Sequence, residues 1–111
     1  MKLDDLEKHE QLALGALIRL MLRSDGEFTE VEERKVSELG TRLGAADRIW
    51  SVISASAQAC PTDATMRATA STVTRIEVRS LVRAALADIA ADGEVSGSET
   101  SLLAWLDGVW R

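Results

Sequence analysis

The chain has one cysteine, one proline, one histidine and no tyrosine among its 111 residues. A lone thiol, Cys60, excludes an intramolecular disulfide and any multi-cysteine zinc site. His9 stands in an acidic stretch with neither a second histidine nor a cysteine nearby, which makes it a poor metal ligand or catalytic base. No apolar run approaches the roughly 18 residues of a membrane span, and the opening eight residues are too charged for a signal peptide. A cytoplasmic protein is the expectation. An excess of positive charge is also missing: 13 basic residues against 18 acidic leave a net charge of −5. That excludes a nucleic-acid module resting on phosphate contacts, and it disfavours docking to an anionic membrane. There is no glycine-rich phosphate loop, no nucleotide fingerprint and no Ser–His–Asp set. Neither an enzyme nor an organic cofactor is expected, because a carboxylate acid/base pair needs a cleft that so short a chain hardly offers.

What is present points to helices. Hydrophobic residues are 46% and charged residues 28% of the chain, ordinary values for a globular protein. Alanine is frequent and β-branched runs are few. Leu6, Ala13, Leu14, Leu17, Ile18, Leu20 and Met21 recur at three- and four-residue spacing, predicting a long helix from Asp4 to Ser24. Thr29-x-x-Glu32 is a capping box for a second helix on Val31, Val36, Leu39 and Leu43, ending at Gly44. Ile49, Trp50, Val52 and Ile53 predict a third over Ala46 to Ala59, interrupted by Cys60-Pro61. Residues 61–72 read as a loop with a short helical turn. Ile76, Val82, Ala85, Leu86 and Ile89 predict a helix from about Val73 to Ala91. Ser96-x-x-Glu99 caps a last helix on Leu102, Leu103, Leu106, Val109 and Trp110.

Two segments repeat 67 residues apart: Asp25-Gly26-Glu27-Phe28-Thr29-Glu30-Val31-Glu32 and Asp92-Gly93-Glu94-Val95-Ser96-Gly97-Ser98-Glu99. Both read Asp-Gly-Glu-apolar-Ser/Thr-x-x-Glu, and both join an apolar helix to a capped one. Leu14 aligns with Leu81, Leu22 with Ile89, Val36 with Leu103 and Leu39 with Leu106. The expectation is one domain over residues 1–111: an all-α compact bundle of five to seven helices built from a duplicated helix–turn–helix hairpin. The copies lie at roughly 10–44 and 76–110, with an insert between them. Charge alternates along the chain, at −4 over residues 1–40, +3 over 41–86 and −4 over 87–111.

Capping boxes alone can account for Glu32 and Glu99, and C-cap geometry for Gly26 and Gly93. The aspartates are harder to explain. Asp25, Asp88 and Asp92 fall in the last turns of helices, where the dipole disfavours negative charge by roughly 0.3–1 kcal/mol. Asp88 and Asp92, four apart on one face, add about 0.2–0.5 kcal/mol of repulsion. A bound cation or a basic partner reverses both signs. Asp88, Asp92, Gly93, Val95 and Glu99 also keep the register of a calcium loop at its first, fifth, sixth, eighth and twelfth positions. Ala90 stands at the third, and Met21 and Arg23 take the first and third in the earlier copy, so a regular EF-hand is excluded.

The segment Ala90-Ala91-Asp92-Gly93-Glu94-Val95-Ser96 with Glu99, matched by Ser24-Asp25-Gly26-Glu27-Phe28-Thr29 with Glu32, resembles the tellurite-resistance TerB family and its TerB-like relatives. Those relatives include the N-terminal domain of a membrane-anchored DnaJ-type co-chaperone. The resemblance covers both hairpins and leaves the middle unmatched. It implies a duplicated all-helical unit without established catalysis, whose acidic residues bind metal ions. Those residues carry over to Asp88, Asp92 and Glu99, and to Asp25 and Glu32 in the first copy, where Met21 replaces the counterpart of Asp88.

Three functional expectations follow. A calcium, magnesium or manganese ion is held by Asp88, Asp92 and Glu99, and more weakly around Asp25 and Glu32, in a stress-response or scaffolding protein. Alternatively, the acidic ends dock a basic protein partner without metal through Asp25 and Asp92. Least favoured is a homodimer pairing an acidic end with the stripe Arg75, Arg79 and Arg83. That stripe otherwise reads as a solvated face balancing nearby carboxylates. Cys60 reads as an inert thiol, and Trp50, Trp105 and Trp110 as core anchors.

Overall fold

From Glu10 to Leu22 no residue is exposed to solvent, so the first long helix is buried on every side rather than along one stripe. In the computed structural model, residues 2–24, 30–90 and 97–110 are described, with the backbone alone at 23, 24 and 97–99. A 3₁₀ turn at Leu3–Asp5 precedes six helices: α1 (Lys8–Ser24), α2 (Glu30–Arg42), α3 (Arg48–Ala59), α4 (Asp63–Ala70), α5 (Ile76–Ala90) and α6 (Gly97–Val109). There is no strand among the described residues. The Cα radius of gyration, 12.6 Å, matches the roughly 13 Å of a compact globule of this length.

The all-round burial of α1 follows from its composition. Leu14, Leu17, Ile18 and Met21 are fully buried, and so are the small residues Ala13 and Ala16. Large side chains fill the core, while small ones let neighbouring backbones approach. α1 packs against α3, α4, α5 and α6; α2 bridges α3 and α5; and α5 packs on α6. At Gly15 the approach is closest, since a Cβ there would lie 2.9 Å from the Val52 carbonyl oxygen and 3.1 Å from Ser56. One helical turn on, the Arg19 guanidinium donates to the carbonyls of Ser56 (3.3 Å) and Cys60 (3.0 Å). It thereby gives a second donor to the Ser56 carbonyl, which already accepts the Cys60 amide, and supplies one to the Cys60 carbonyl past the end of α3.

Local signals explain the boundaries. Gly44 adopts φ +69°, and the amides of Gly44 and Ala45 donate to Thr41 and Gly40, the double bond of a Schellman cap that closes α2. The predicted first helix begins later than Asp4. The chain folds into the 3₁₀ turn, whose Leu3 amide bonds the Leu43 carbonyl, and α1 starts at Lys8. Residues 61–72 hold a full helix in place of the expected loop. Thr62 caps α4 through its hydroxyl on the Thr65 amide (3.2 Å), and Met66 and Ala70, four apart, are buried. The threonine content hides this helix, since β-branched residues lower local propensity while the burial of Met66 and Ala70 stabilises it. Two expected core positions face solvent, Val31 at 40% exposure and Ile76 at 74%. Both lie in the first turns of their helices. The three tryptophans pack partly buried against the core, as expected. No helix is long and apolar enough to cross a membrane among the described residues.

Gly15→Ala is expected to lower stability by about 1–3 kcal/mol, because the methyl meets backbone that cannot step aside cheaply. The midpoint of urea unfolding measures it. An unchanged midpoint contradicts the close approach of α1 and α3.

Candidate functional site

Asp88, the leading candidate ligand, lies in the last turns of α5 at 38% side-chain exposure and faces α2. Arg42 donates to its Oδ2 at 3.2 Å, and the Lys35 ammonium sits 3.6 Å from Oδ1. Each such pair contributes about 0.2–1 kcal/mol. Two of them are comparable with the dipole and repulsion penalties at this position, so the fold itself supplies the positive charge that the sequence called for. An incoming cation would have to displace or approach two protein cations.

Glu32, in the first turn of α2, is 7% exposed. Asp25, Asp92 and the cap residues Thr29 and Ser96 lie outside the described residues, as do Gly26, Gly93, Phe28 and Val95. Glu99 belongs to α6, but its side chain is outside the description as well. Around the first of these turns, the described end of α2 exposes Glu30, Val31 and Glu33. Acidic side chains are favoured there by the helix dipole; an exposed valine is not explained that way.

The basic middle of the chain is committed within the molecule. Of its six basic residues, Arg42 and Arg83 reach carboxylates of the acidic C-terminal segment, Asp88 and Asp107, while Arg48 and Arg75 reach Asp4 and Glu10 of the acidic N-terminal segment. Arg67 lies over the Trp105 ring, 4.5 Å from its centroid. Arg79 donates to the carbonyls of Val73 (2.8 Å) and Trp110 (3.4 Å). The acidic–basic–acidic pattern is therefore largely an internal clamp, and two members of the Arg75/Arg79/Arg83 stripe do balance carboxylates.

The most deeply placed charge among the described residues was not singled out by the sequence. Glu10 is 1% exposed. Its Oε2 accepts from Arg75 Nε at 2.9 Å and its Oε1 from Arg75 Nη2 at 2.6 Å. The Glu7 amide also donates to Oε1 at 2.7 Å, half of a capping box for α1. Arg75 further donates to the Asp5 carbonyl at 2.8 Å. The Arg75 hydrogen bonds outweigh the desolvation that opposes them. Helped by the Glu7 amide, they hold the Glu10 carboxyl at about 2, below its ordinary 4.5. The guanidinium is raised in turn, first by the same hydrogen bonds. One signal was available: Glu10, Ala13, Leu14 and Leu17 share the core-facing spacing, so a carboxylate there needed a partner.

Among the described residues, the group of three side chains close enough to hold an ion is Glu7, His9 and Glu10, with ligand atoms within 4.8 Å of one another. Glu10 is spent on Arg75, and His9 Nδ1 lies 3.5 Å from Glu7. This leaves a weak, exposed pair. Cys60 is buried, with its sulfur 3.1 Å from the Thr69 hydroxyl. The Trp110 indole donates to the Ala70 carbonyl at 3.0 Å, a structural use of its polar edge. No family model, curated protein or solved structure matches the chain.

The sign of the Glu10 shift sets a pH dependence. A depressed carboxyl stabilises the fold in full above pH 4.5, and that stabilisation is lost as pH falls toward 2. Glu10→Gln is expected to melt roughly 5–10 °C below the parent at pH 7. The gap should narrow steadily between pH 4.5 and 2 in thermal melts. A gap independent of pH would show that Glu10 does not act through its charge.

Proposed function

We propose that this chain is a non-enzymatic, TerB-like helical domain, built on a duplicated hairpin, that engages a basic protein partner through its acidic end without needing metal. The observation that carries this reading is the exposed first turn of α2, where Val31 stands between Glu30 and Glu33 next to the Asp25 turn. An apolar side chain framed by carboxylates suits a partner that offers lysine or arginine beside an apolar residue. The arrangement of helices is consistent with duplication. The first helix of each hairpin packs on the second helix of the other, α1 on α6 and α5 on α2, and α1 also meets α5; within the hairpins α5 packs on α6, whereas α1 and α2 are not packed in the same way. The role fits scaffolding or stress response in the cytoplasm, in the manner the family resemblance implies.

A bound divalent cation is the second reading. Its ligands would be Asp92 and Glu99 with Asp88, and Asp25 with Glu32, and calcium, magnesium or manganese suits such oxygen donors. The buried Glu32 carboxylate at the same end favours it. The pairing of Asp88 with Lys35 and Arg42 weighs against it.

Two measurements separate the readings. Titration with a lysine–leucine helical peptide, followed by amide NMR shifts, is expected to perturb residues 25–33 in the presence of chelator. The response should weaken about tenfold on Glu30→Gln/Glu33→Gln and fade as salt rises. Thermal melts in millimolar calcium, magnesium or manganese should match those in chelator. A rise of several degrees that Asp88→Asn/Asp92→Asn removes would replace the interaction reading with the cation site.

A further inference from the structure

Between α2 and α5 runs an open groove of two joined parts. The first is a trough of about 230 Å³ lined by Leu39, Leu43, Leu81, Ala84 and Ala85, with Arg42 at its edge. Arg42 also belongs to the second part, a wider shelf of about 610 Å³ where Arg34, Lys35 and Asp88 meet. From Arg34 to Leu43 the groove follows roughly 13 Å of α2, the length of two to three turns of a docked helix. Its apolar floor is made of alanine and leucine, and its rim carries three cations. Glu38 and Asp88 are the shelf's carboxylates, and Asp88 is shared by Lys35 and Arg42. On a chain of net charge −5, the shelf's three cations outnumber its two carboxylates by one, and Asp88 is the carboxylate that holds two of them.

We propose that the α2–α5 groove is a docking site for an acidic amphipathic helix of a partner protein, with Asp88 occupying the place that a ligand carboxylate would take. Leucine-type side chains of the ligand fill the trough, and its carboxylates meet Arg34, Lys35 and Arg42. Charge complementarity selects this occupant: a basic helix would face the rim cations at close range. Binding requires the ligand carboxylate to displace Asp88 from Arg42 or share the guanidinium with it, so Asp88 acts as an internal competitor. This surface is separate from the acidic end considered above and prefers a ligand of opposite sign.

The roles of Asp88 are opposite in the two schemes. As a metal ligand it is needed; as a competitor its removal helps. The probe is a fluorescein-labelled helical peptide about four turns long, with leucines on one face and glutamates flanking them. Its polarisation is read against the full-length chain and against variants first shown to melt like the parent. Saturable binding in the micromolar range is expected, weakening with salt and about tenfold weaker when glutamines replace the glutamates. Asp88→Asn should tighten it about threefold to tenfold, and Arg42→Gln should weaken it about tenfold. Leu81→Ser tests the trough independently of charge and should weaken it severalfold. Equal binding of the glutamate and glutamine peptides, or weakening by Asp88→Asn, overturns the proposal. So does absence of saturation up to millimolar chain. Sedimentation showing a self-associated chain that Arg42→Gln dissociates, with no competition from the peptide, assigns the groove to a second copy instead.

Discussion

A helix buried on every side constrains everything packed around it. α1 meets four other helices, so its side chains must be apolar or small, and any polar group on it needs a partner inside the protein. Two such groups are Glu10 and Arg19, and each ties α1 to a remote element. Glu10 binds Arg75 just ahead of α5, and Arg19 closes the end of α3. The polar residues of the buried helix therefore fix where its neighbours sit, while the leucines and alanines determine how close they come. Gly15 marks the limit of that approach, where even a methyl group would meet the backbone of α3.

Charge in this protein acts first as internal architecture. Four of the six basic residues in the middle segment reach carboxylates of the two acidic segments, two in each direction. Most of these pairs are exposed and individually weak. Together they orient the middle of the chain against both ends. The Glu10–Arg75 pair differs because the carboxylate is buried, held by two guanidinium bonds and a backbone amide. Two groups of charges lie beside apolar side chains at the surface: the carboxylates flanking the exposed Val31, and Arg34, Lys35 and Arg42 near the trough between α2 and α5.

Much of the architecture was legible in the residues because helix periodicity and turn chemistry are local. The apolar spacing of α1, α2, α3, α5 and α6 and the break at Cys60-Pro61 correspond to the observed elements, and Gly44 ends α2 through its left-handed backbone. α4 was obscured because threonine-rich sequence lowers helical propensity, which the Thr62 cap and the burial of Met66 and Ala70 offset. Val31 and Ile76 carried the right spacing yet face solvent, since a first helical turn can extend past the neighbour that the later turns pack upon.

Of the candidate site, the sequence located unfavourable aspartates and named a bound cation or a basic partner as the remedy. At Asp88 the tertiary structure brings Lys35 and Arg42 of α2 beside the carboxylate. Composition and spacing determined that this protein has helices, where most begin and end, and that its charge alternates along the chain. Only the packed structure decided which charges meet. Glu10 and Arg75 lie 65 residues apart, and Arg42 and Asp88 lie 46 apart. Such distances are closed by the burial of α1 and the stacking of α2 on α5, which no local pattern encodes. The scarcity of cysteine, histidine and aromatic residues had excluded much chemistry from the start. The work of holding the fold passes instead to leucine, alanine and a small number of well-placed arginines.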